Sequence, residues 1–239
     1  MKDILKQDQC RLSKKDIQKL TCFFYNGSTG VLASVFFNLP LPLKRHCVKV
    51  AAIAGQMAMH APESAFPPGM GRDDYANAVR YGCLYHDIGT YLVYNQQQLY
   101  PAAGGRFLQE ELGEAISNPD VQKIILETVR CYGERYDGRG YPDKLSGDGI
   151  PLDAGICAIA DAVDRMITGR HWLFANPVAK AKEFVLESAG TAFSPEAVQC
   201  FKLAYPEIDQ LYHHWRKTPP FWKNTDLKPS DRPIGHPGC

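Results

Sequence analysis

Four residues of this sequence could together bind a divalent metal ion: His46, His86, Asp87 and Asp161. A mixed set of imidazole and carboxylate groups suits a transition metal such as Mn, Fe, Ni or Zn. Asp161 lies in the apolar run Ala-Ile-Ala-Asp-Ala-Val, where a single carboxylate is costly to bury unless it is paired or bound to a metal. A metal held there would lower the pKa of a bound water and so provide a hydroxide that attacks a phosphoester.

The pair His86-Asp87 has a simpler explanation when it is taken alone. Adjacent residues on a helix point in different directions, and Gly89 could end the helix and leave only a polar tip. The four residues would then form a metal-free polar cluster in a helical scaffold. We favour the metal site, because four buried ionisable groups without a metal would need dense mutual pairing.

The segments that must position these residues show helical patterns. Helices are predicted from Leu43 to about His60, from Arg72 to His86, from Arg106 to Ile116, from Asn118 onward, from Pro151 onward, and at about 177–188, 195–205 and 207–216. Because no alternating strand pattern occurs, the predicted fold is all-α. Residues 1–42 are expected to form an N-terminal helical appendage, residues 43–217 the main domain, and residues 218–239 an irregular, proline-rich tail.

Composition excludes several classes of partner. The 239 residues carry 27 basic and 26 acidic side chains, and a net charge of +1 argues against binding of polymeric nucleic acid. No stretch approaches 18 uninterrupted apolar residues, so no membrane span is predicted. The eight cysteines include no Cys-x-x-Cys pair, and the polar N-terminus lacks an apolar signal region. We therefore expect a cytoplasmic protein.

Several segments, in a fixed order, resemble one known family. They are His86-Asp-Ile-Gly89, Glu134-Arg-Tyr-Asp-Gly-Arg-Gly-Tyr-Pro142, Ile150-Pro-Leu-Asp153 and Ala158-Ile-Ala-Asp-Ala-Val-Asp164. Across residues 43–206 the chain resembles the HD-GYP domain, a branch of the HD metal-dependent phosphohydrolase superfamily. The resemblance implies an HD-domain helical bundle. In active members it also implies hydrolysis of bacterial cyclic dinucleotides, mainly cyclic di-GMP.

The resemblance assigns roles to the four candidate ligands. By position, His46, His86, Asp87 and Asp161 match the metal-binding quartet of HD proteins. Asp87 would bridge two metals or orient the attacking water.

Other positions depart from the family pattern. Thr90 stands where the family usually has Lys, Tyr100 is the nearest match to a ligand His, and Tyr132-Gly133 stands where the family has His-His. Tyrosine is a poor ligand at neutral pH, with an ordinary pKa of about 10, and glycine has no side-chain donor. The sequence therefore predicts fewer metal ions than active family members hold.

The segment Asp137-Gly-Arg-Gly-Tyr-Pro142 is dense in turn-forming residues. It could be only a tight loop that needs glycine, or a surface that binds a ligand or a partner. The predicted substrate- or partner-binding residues are Thr90, Arg135, Asp137, Arg139, Gly140, Tyr141, Pro142 and Arg170.

Two functions remain open on the sequence. The favoured one is a divergent metal-dependent phosphohydrolase that hydrolyses a phosphodiester such as a cyclic dinucleotide. The alternative is an inactive HD-GYP module that binds a cyclic dinucleotide, or binds a signalling-protein partner through the Gly-Tyr-Pro loop. The intact quartet supports the first function, and the replaced ligand positions support the second.

Overall fold

The computed structural model describes residues 36, 38–93, 96–112, 116–168 and 176–217. Within these ranges the regular structure is helical and no strand forms. The helices are α1 (Leu41–Ala58), α2 (Arg72–Tyr85), α3 (Gly89–Leu92), α4 (Tyr100–Glu111), α5 (Pro119–Cys131), α6 (Leu152–Thr168), α7 (Pro177–Glu187) and α8 (Pro195–Lys217). The predicted all-α fold is confirmed. None of the helices in these ranges has both the length and the apolar character needed to cross a membrane.

Local signals set the start of three helices. The side chains of Asn118 and Asn176 accept backbone N–H groups in the first turns of α5 and α7, and Ser194 does the same for α8. A proline follows each of these caps, at a position where a missing N–H costs nothing. These starts follow from neighbouring residues alone.

The helices enclose two apolar clusters. Helix α1 packs along α2, α6 and α8, and α5 packs against α2 and α6. The larger cluster fills the space between these helices and includes Ile53, Met57 and Ile156, all fully buried. The smaller cluster surrounds Ile88 and includes Phe36. This packing brings the start of α1, the end of α2 and the middle of α6 to one place.

Helix α4 differs from its prediction. It begins at Tyr100, whereas the sequence pattern predicted a start at Arg106. Pro101 lies in the first turn, where its missing N–H removes no helical bond.

Helix α8 is continuous, and the prediction of two helices separated near residue 206 is wrong. The helix runs through Pro206. A proline in a helix interior costs about 3 kcal/mol. Packing of α8 on α1 and α6 offsets this cost.

The predicted domain limits lie mostly outside the described residues. Helix α1 begins at Leu41, two residues before the predicted start of the main domain. Phe36 and Leu39 are buried against the smaller apolar cluster. Residues 1–35 and 218–239 lie outside the described ranges, so the appendage and the tail stay predictions.

A buried carboxyl, Asp153, makes the stability of this fold depend on pH. Burial, followed by the nearby Glu127, raises the pKa of Asp153 to about 7. Thr128 Oγ1 lies 2.7 Å from the carbonyl oxygen of Ile124 and 2.9 Å from Asp153 Oδ2. A hydroxyl has one hydrogen. If the Thr128 hydroxyl donates this hydrogen to the Ile124 carbonyl, the hydrogen bond between Thr128 and Asp153 needs a proton on the Asp153 carboxyl group.

We expect Asp153→Asn to flatten the pH dependence of unfolding. The folded state holds the Asp153 proton more tightly than the unfolded state, whose pKa is about 3.9. The native protein should therefore lose stability as pH rises from about 4 through about 7. At pH 8 the variant should be more stable by up to about 4 kcal/mol. Urea unfolding between pH 5 and 8 measures this, with exposed Asp148→Asn as the control. Parallel curves for Asp153→Asn and the native chain would contradict the assignment.

Candidate metal centre

The structure brings together the four residues that the sequence singled out. His46 lies near the start of α1, and Asp161 lies in the middle of α6. His86 and Asp87 occupy the turn that follows α2. Backbone hydrogen bonds from Ile88 N–H to the Tyr85 carbonyl and from Thr90 N–H to the Asp87 carbonyl close this turn, and within it His86 Nε2 lies 3.6 Å from Asp87 Oδ2. Donor atoms of His46, His86 and Asp87 all lie within 4.8 Å of one another.

His86 is held with one ring nitrogen aimed into the cluster. Its Nδ1 lies 2.7 Å from the carbonyl oxygen of Cys83, which can only accept, so Nδ1 carries the hydrogen. Its Nε2 is buried and has no hydrogen-bond partner among the described residues. Asp87 Oδ2 and Asp161 Oδ1 each lie 3.6 Å from this nitrogen.

His46 is oriented in the same manner by a carboxylate. Its Nδ1 lies 2.8 Å from Asp164 Oδ2, and its Nε2 lies 2.8 Å from Asp161 Oδ1 and 3.8 Å from Asp87 Oδ2. A histidine that donates its outer N–H to a carboxylate presents the other nitrogen to a metal. Both histidines therefore have their Nε2 atoms directed at the two aspartates.

The spacing of these donors fits one divalent cation. The four separations between a histidine Nε2 and an aspartate oxygen run from 2.8 to 3.8 Å. Four ligands at about 2.1 Å from a tetrahedral ion lie about 3.4 Å apart. The buried, unpartnered Nε2 of His86 is the atom that such an ion would satisfy. His46, His86 and Asp87 thus present two nitrogens and one oxygen within 4.8 Å of one another, and Asp161 Oδ1 lies 2.8 and 3.6 Å from the two histidine nitrogens as a fourth candidate donor.

The charges of the cluster are mutually compensated. Burial opposes the charged form of His46, yet its hydrogen bonds to Asp161 and Asp164 raise its pKa to about 10. Burial likewise opposes ionisation of Asp161, but Arg165 and His46 hold its pKa well below the usual range. Histidine ligates a metal as the neutral ring, so metal binding must release protons here.

Arg165 belongs to this cluster, and the sequence analysis did not identify it. Its Nε donates to Asp161 Oδ1 at 2.6 Å, and its Nη2 donates to Asp87 Oδ2 at 3.2 Å. The signal in the sequence was the spacing of four residues between Asp161 and Arg165 on one helix. The contact with Asp87 joins segments 78 residues apart and has no such signal.

Asp164 was also missed as a functional residue, although it follows Asp161 by three positions. It is almost fully buried, and its Oδ1 accepts the Tyr212 hydroxyl at 3.1 Å. Lys49 Nζ lies 3.7 Å from the same oxygen. Asp164 thus fixes the ring of His46 from the side opposite the cluster.

We expect Asp164→Asn to weaken metal binding about 10- to 100-fold, the usual effect of losing such a supporting carboxylate. The amide keeps an acceptor for His46 but loses the charge that makes the ring a better ligand. Calorimetric titration with Mn²⁺ measures the affinity. Tyr212→Phe is the graded control, since it leaves the carboxylate and should have the smaller effect. Equal affinities for Asp164→Asn and the native chain would contradict this role.

Two of the replaced ligand positions border the cluster in other roles. The Tyr132 hydroxyl donates to Asp87 Oδ1 at 2.8 Å, and its ring meets the His86 ring edge-on with centroids 4.9 Å apart. A Cβ at Gly133 would lie 2.7 Å from Cε2 of Tyr141, so that ring fills the space a side chain would need.

The other two replaced positions, Thr90 and Tyr100, make backbone contacts. The Thr90 hydroxyl donates to the backbone carbonyl of Asp87 at 2.7 Å and closes the turn. Tyr100 begins α4, and its carbonyl faces Gly89 closely enough that a Cβ there would overlap it. The structure records no contact of the Tyr100 side chain with the cluster.

The Gly-Tyr-Pro loop is held by a buried carboxylate. Glu134 Oε1 accepts the backbone N–H of Asp143 at 2.7 Å, and Oε2 accepts that of Leu145 at 3.1 Å. The backbone N–H of Tyr141 donates to the carbonyl of Gly133. The loop is therefore joined to the segment that carries Tyr132.

The predicted loop contacts differ in accessibility. Asp137 and Arg139 are exposed, and Arg135 pairs with Asp137 at 2.7 Å. Gly140 is buried, and Tyr141 and Pro142 are half-buried. Arg170 lies outside the described residues.

Comparison with known proteins identifies the family. The profile of the HD domain family matches residues 43–166, which is more than half of the chain and contains all four candidate ligands. The chain belongs to the HD domain family. This confirms the assignment made from the His-Asp motif and the Gly-Tyr-Pro loop.

Relatives of this HD domain chain carry consistent names. The "Cyclic di-GMP phosphodiesterase" of Thermotoga maritima is 27% identical over 181 residues, covering 70% of this chain and 46% of that protein. The "Cyclic di-GMP phosphodiesterase response regulator RpfG" of Xanthomonas campestris is 36% identical over 138 residues, covering 53% and 36%. The "3'3'-cGAMP-specific phosphodiesterase 2" of Vibrio cholerae is 24% identical over 188 residues, covering 75% and 34%. The chain spans less than half the length of each.

Proposed function

We propose that this HD domain is a metal-dependent phosphohydrolase that cleaves a phosphodiester, such as a cyclic dinucleotide, with a metal-activated water. The observation that carries the proposal is the buried, unpartnered Nε2 of His86, which faces two carboxylate oxygens at 3.6 Å. The names of the relatives support a cyclic dinucleotide as the substrate class.

Different residues of the chain would bind the ion and orient its ligands. His46, His86, Asp87 and Asp161 hold the ion, whose identity we propose as Mn, Fe, Ni or Zn from the mixed nitrogen and oxygen donors. When bound, the ion lowers the pKa of a water and neutralises charge on the phosphoryl group. Asp87 accepts the Tyr132 hydroxyl on one oxygen, which fixes its other oxygen toward the cluster.

Binding of the substrate would use the surface around the turn and the loop. We propose that Thr90, Arg135, Asp137, Arg139, Gly140, Tyr141 and Pro142 contribute to this binding, and that Arg170, which lies outside the described residues, contacts the substrate or a partner as well. Exposed Arg139 offers a guanidinium to a phosphate. We also propose a cytoplasmic location, since the described cysteines are buried free thiols.

A second candidate function is a binding module without hydrolysis. It is favoured by the state of the replaced ligand positions, because Tyr132 binds Asp87 and the Tyr141 ring fills the space beside Gly133. Such a module would bind a cyclic dinucleotide, or a signalling protein through the Gly-Tyr-Pro loop.

One set of measurements separates these functions. The chain is purified without chelator, its metal content is measured, and turnover of cyclic di-GMP, 3'3'-cGAMP and bis(p-nitrophenyl) phosphate is followed with and without added Mn²⁺. We expect turnover that a chelator abolishes and Mn²⁺ restores. Tight binding of a cyclic dinucleotide without turnover would select the binding module. Failure to bind any transition metal would overturn the hydrolase.

A further inference from the structure

A positive side chain, Arg165, already bridges the two aspartates of the candidate metal centre. Its Nε reaches Asp161 Oδ1 and its Nη2 reaches Asp87 Oδ2, the same two oxygens that face His86. Each of these two oxygens therefore faces both a histidine ring and the guanidinium. A cation held by the four candidate ligands would share Asp161 Oδ1 and Asp87 Oδ2 with the Arg165 side chain.

Both oxygens of Asp87 are engaged before any second ion could bind. Oδ1 accepts the Tyr132 hydroxyl at 2.8 Å, and Oδ2 accepts Arg165 Nη2 at 3.2 Å. An ion that shared Asp87 with the first would have to replace one of these donors. Gly133, the residue after Tyr132, offers no side-chain ligand in exchange.

The position of the Arg165 guanidinium is fixed by its helix and by the two carboxylates. Arg165 lies four residues after Asp161 on α6, so the same helix carries both members of the shorter contact. Its planar fork lets two nitrogens reach two different carboxylates, which the single ammonium of lysine does less well. The side chain of Asp87 is 5% exposed, and a charge so buried strongly favours a fixed partner.

We propose that Arg165 occupies the place of a second cation and limits this centre to one metal ion. The inference rests on the proposed metal-dependent function and concerns the number of ions that the site binds. Arg165 is a positioning residue in this account, since it acts on Asp87 and Asp161. Removing its charge should leave Asp161 Oδ1 and Asp87 Oδ2 without the guanidinium, so that a further ion could take its place beside them.

The test is metal stoichiometry, which does not depend on activity. The native chain, Arg165→Met and Arg165→Lys are dialysed against Mn²⁺, and bound metal is measured by mass spectrometry. Mn²⁺ electron paramagnetic resonance distinguishes single ions from coupled pairs. We expect one ion and an uncoupled signal for the native chain and for Arg165→Lys. We expect two ions and a coupled signal for Arg165→Met.

A matched control uses a second arginine–aspartate pair. Arg130 donates two bonds of 2.7 Å to Asp143 on the surface, so Arg130→Met removes a similar pair from elsewhere in the fold. It should bind one ion, as the native chain does. Thermal melting adds a second readout, because Arg165→Met should melt lower than the native chain without metal and gain more from added Mn²⁺.

The failures can be told apart. Two coupled ions in the native chain would overturn the role of Arg165 and leave the metal centre standing. No bound ion in the native chain would overturn the proposed function and this inference together. One ion in Arg165→Met, with the native response of melting to Mn²⁺, would overturn the role of Arg165 alone.

Discussion

Replacement of Asp87 by Asn is expected to lower phosphodiester hydrolysis by about 10³-fold or more, since a bound metal supplies several kcal/mol of transition-state stabilisation. Asp87 is 5% exposed, and its Oδ2 lies 3.6 Å from His86 Nε2. The amide keeps the shape of the side chain but loses the charge. It also presents an N–H₂ group to either Arg165 or Tyr132, both of which are donors.

The measurement is the initial rate with cyclic di-GMP at saturating Mn²⁺, together with metal content after dialysis. Asp143→Asn is the matched control, because Asp143 also pairs with an arginine but lies in the loop away from the donor cluster. The control should keep its metal and its rate. Full turnover by Asp87→Asn would exclude this residue as a ligand and with it the proposed water activation.

Replacement of Gly140 by Ala is expected to destabilise the fold by about 3 kcal/mol or more, the upper range for forcing atoms into a packed site. A Cβ at this position would lie 2.6 Å from the carbonyl carbon of Glu134 and would overlap the backbone N of Arg135. Backbone atoms cannot move aside as the end of a side chain can. The Gly-Tyr-Pro loop would have to shift.

The free energy of unfolding in urea gives the magnitude. Gly149→Ala is the control, since a Cβ there would meet nothing within 4 Å. A stable Gly140→Ala would contradict the tight-loop interpretation of this position. A large loss confined to Gly140→Ala would support the tight-loop interpretation of this position.

The helices and the four candidate ligands could be predicted because their signals are local or additive. Caps such as Asn118 act within one turn, and the buried Asp161 stands out in an apolar run. Adjacent side chains on a helix usually diverge, yet in the turn that follows Tyr85 the His86 Nε2 and Asp87 Oδ2 atoms lie 3.6 Å apart.

The remaining features depend on how distant helices cross. The contact of Arg165 with Asp87 and that of Asp164 with His46 join α6 to other segments, and no spacing in the sequence encodes them. The continuous α8 shows the same limit. Pro206 is a strong local breaker, and packing on other helices offsets it.

The charges around Asp87, Asp161 and Asp164 bear on the order in which the protein folds and binds its metal. Arg165 and Lys49 supply positive charge beside these carboxylates from within the chain. These side chains compensate the carboxylates without an ion, so we expect a folded apoprotein that acquires its metal afterwards. With the proposed metal-dependent function, the fraction of molecules that carry the ion would then follow the supply of that ion.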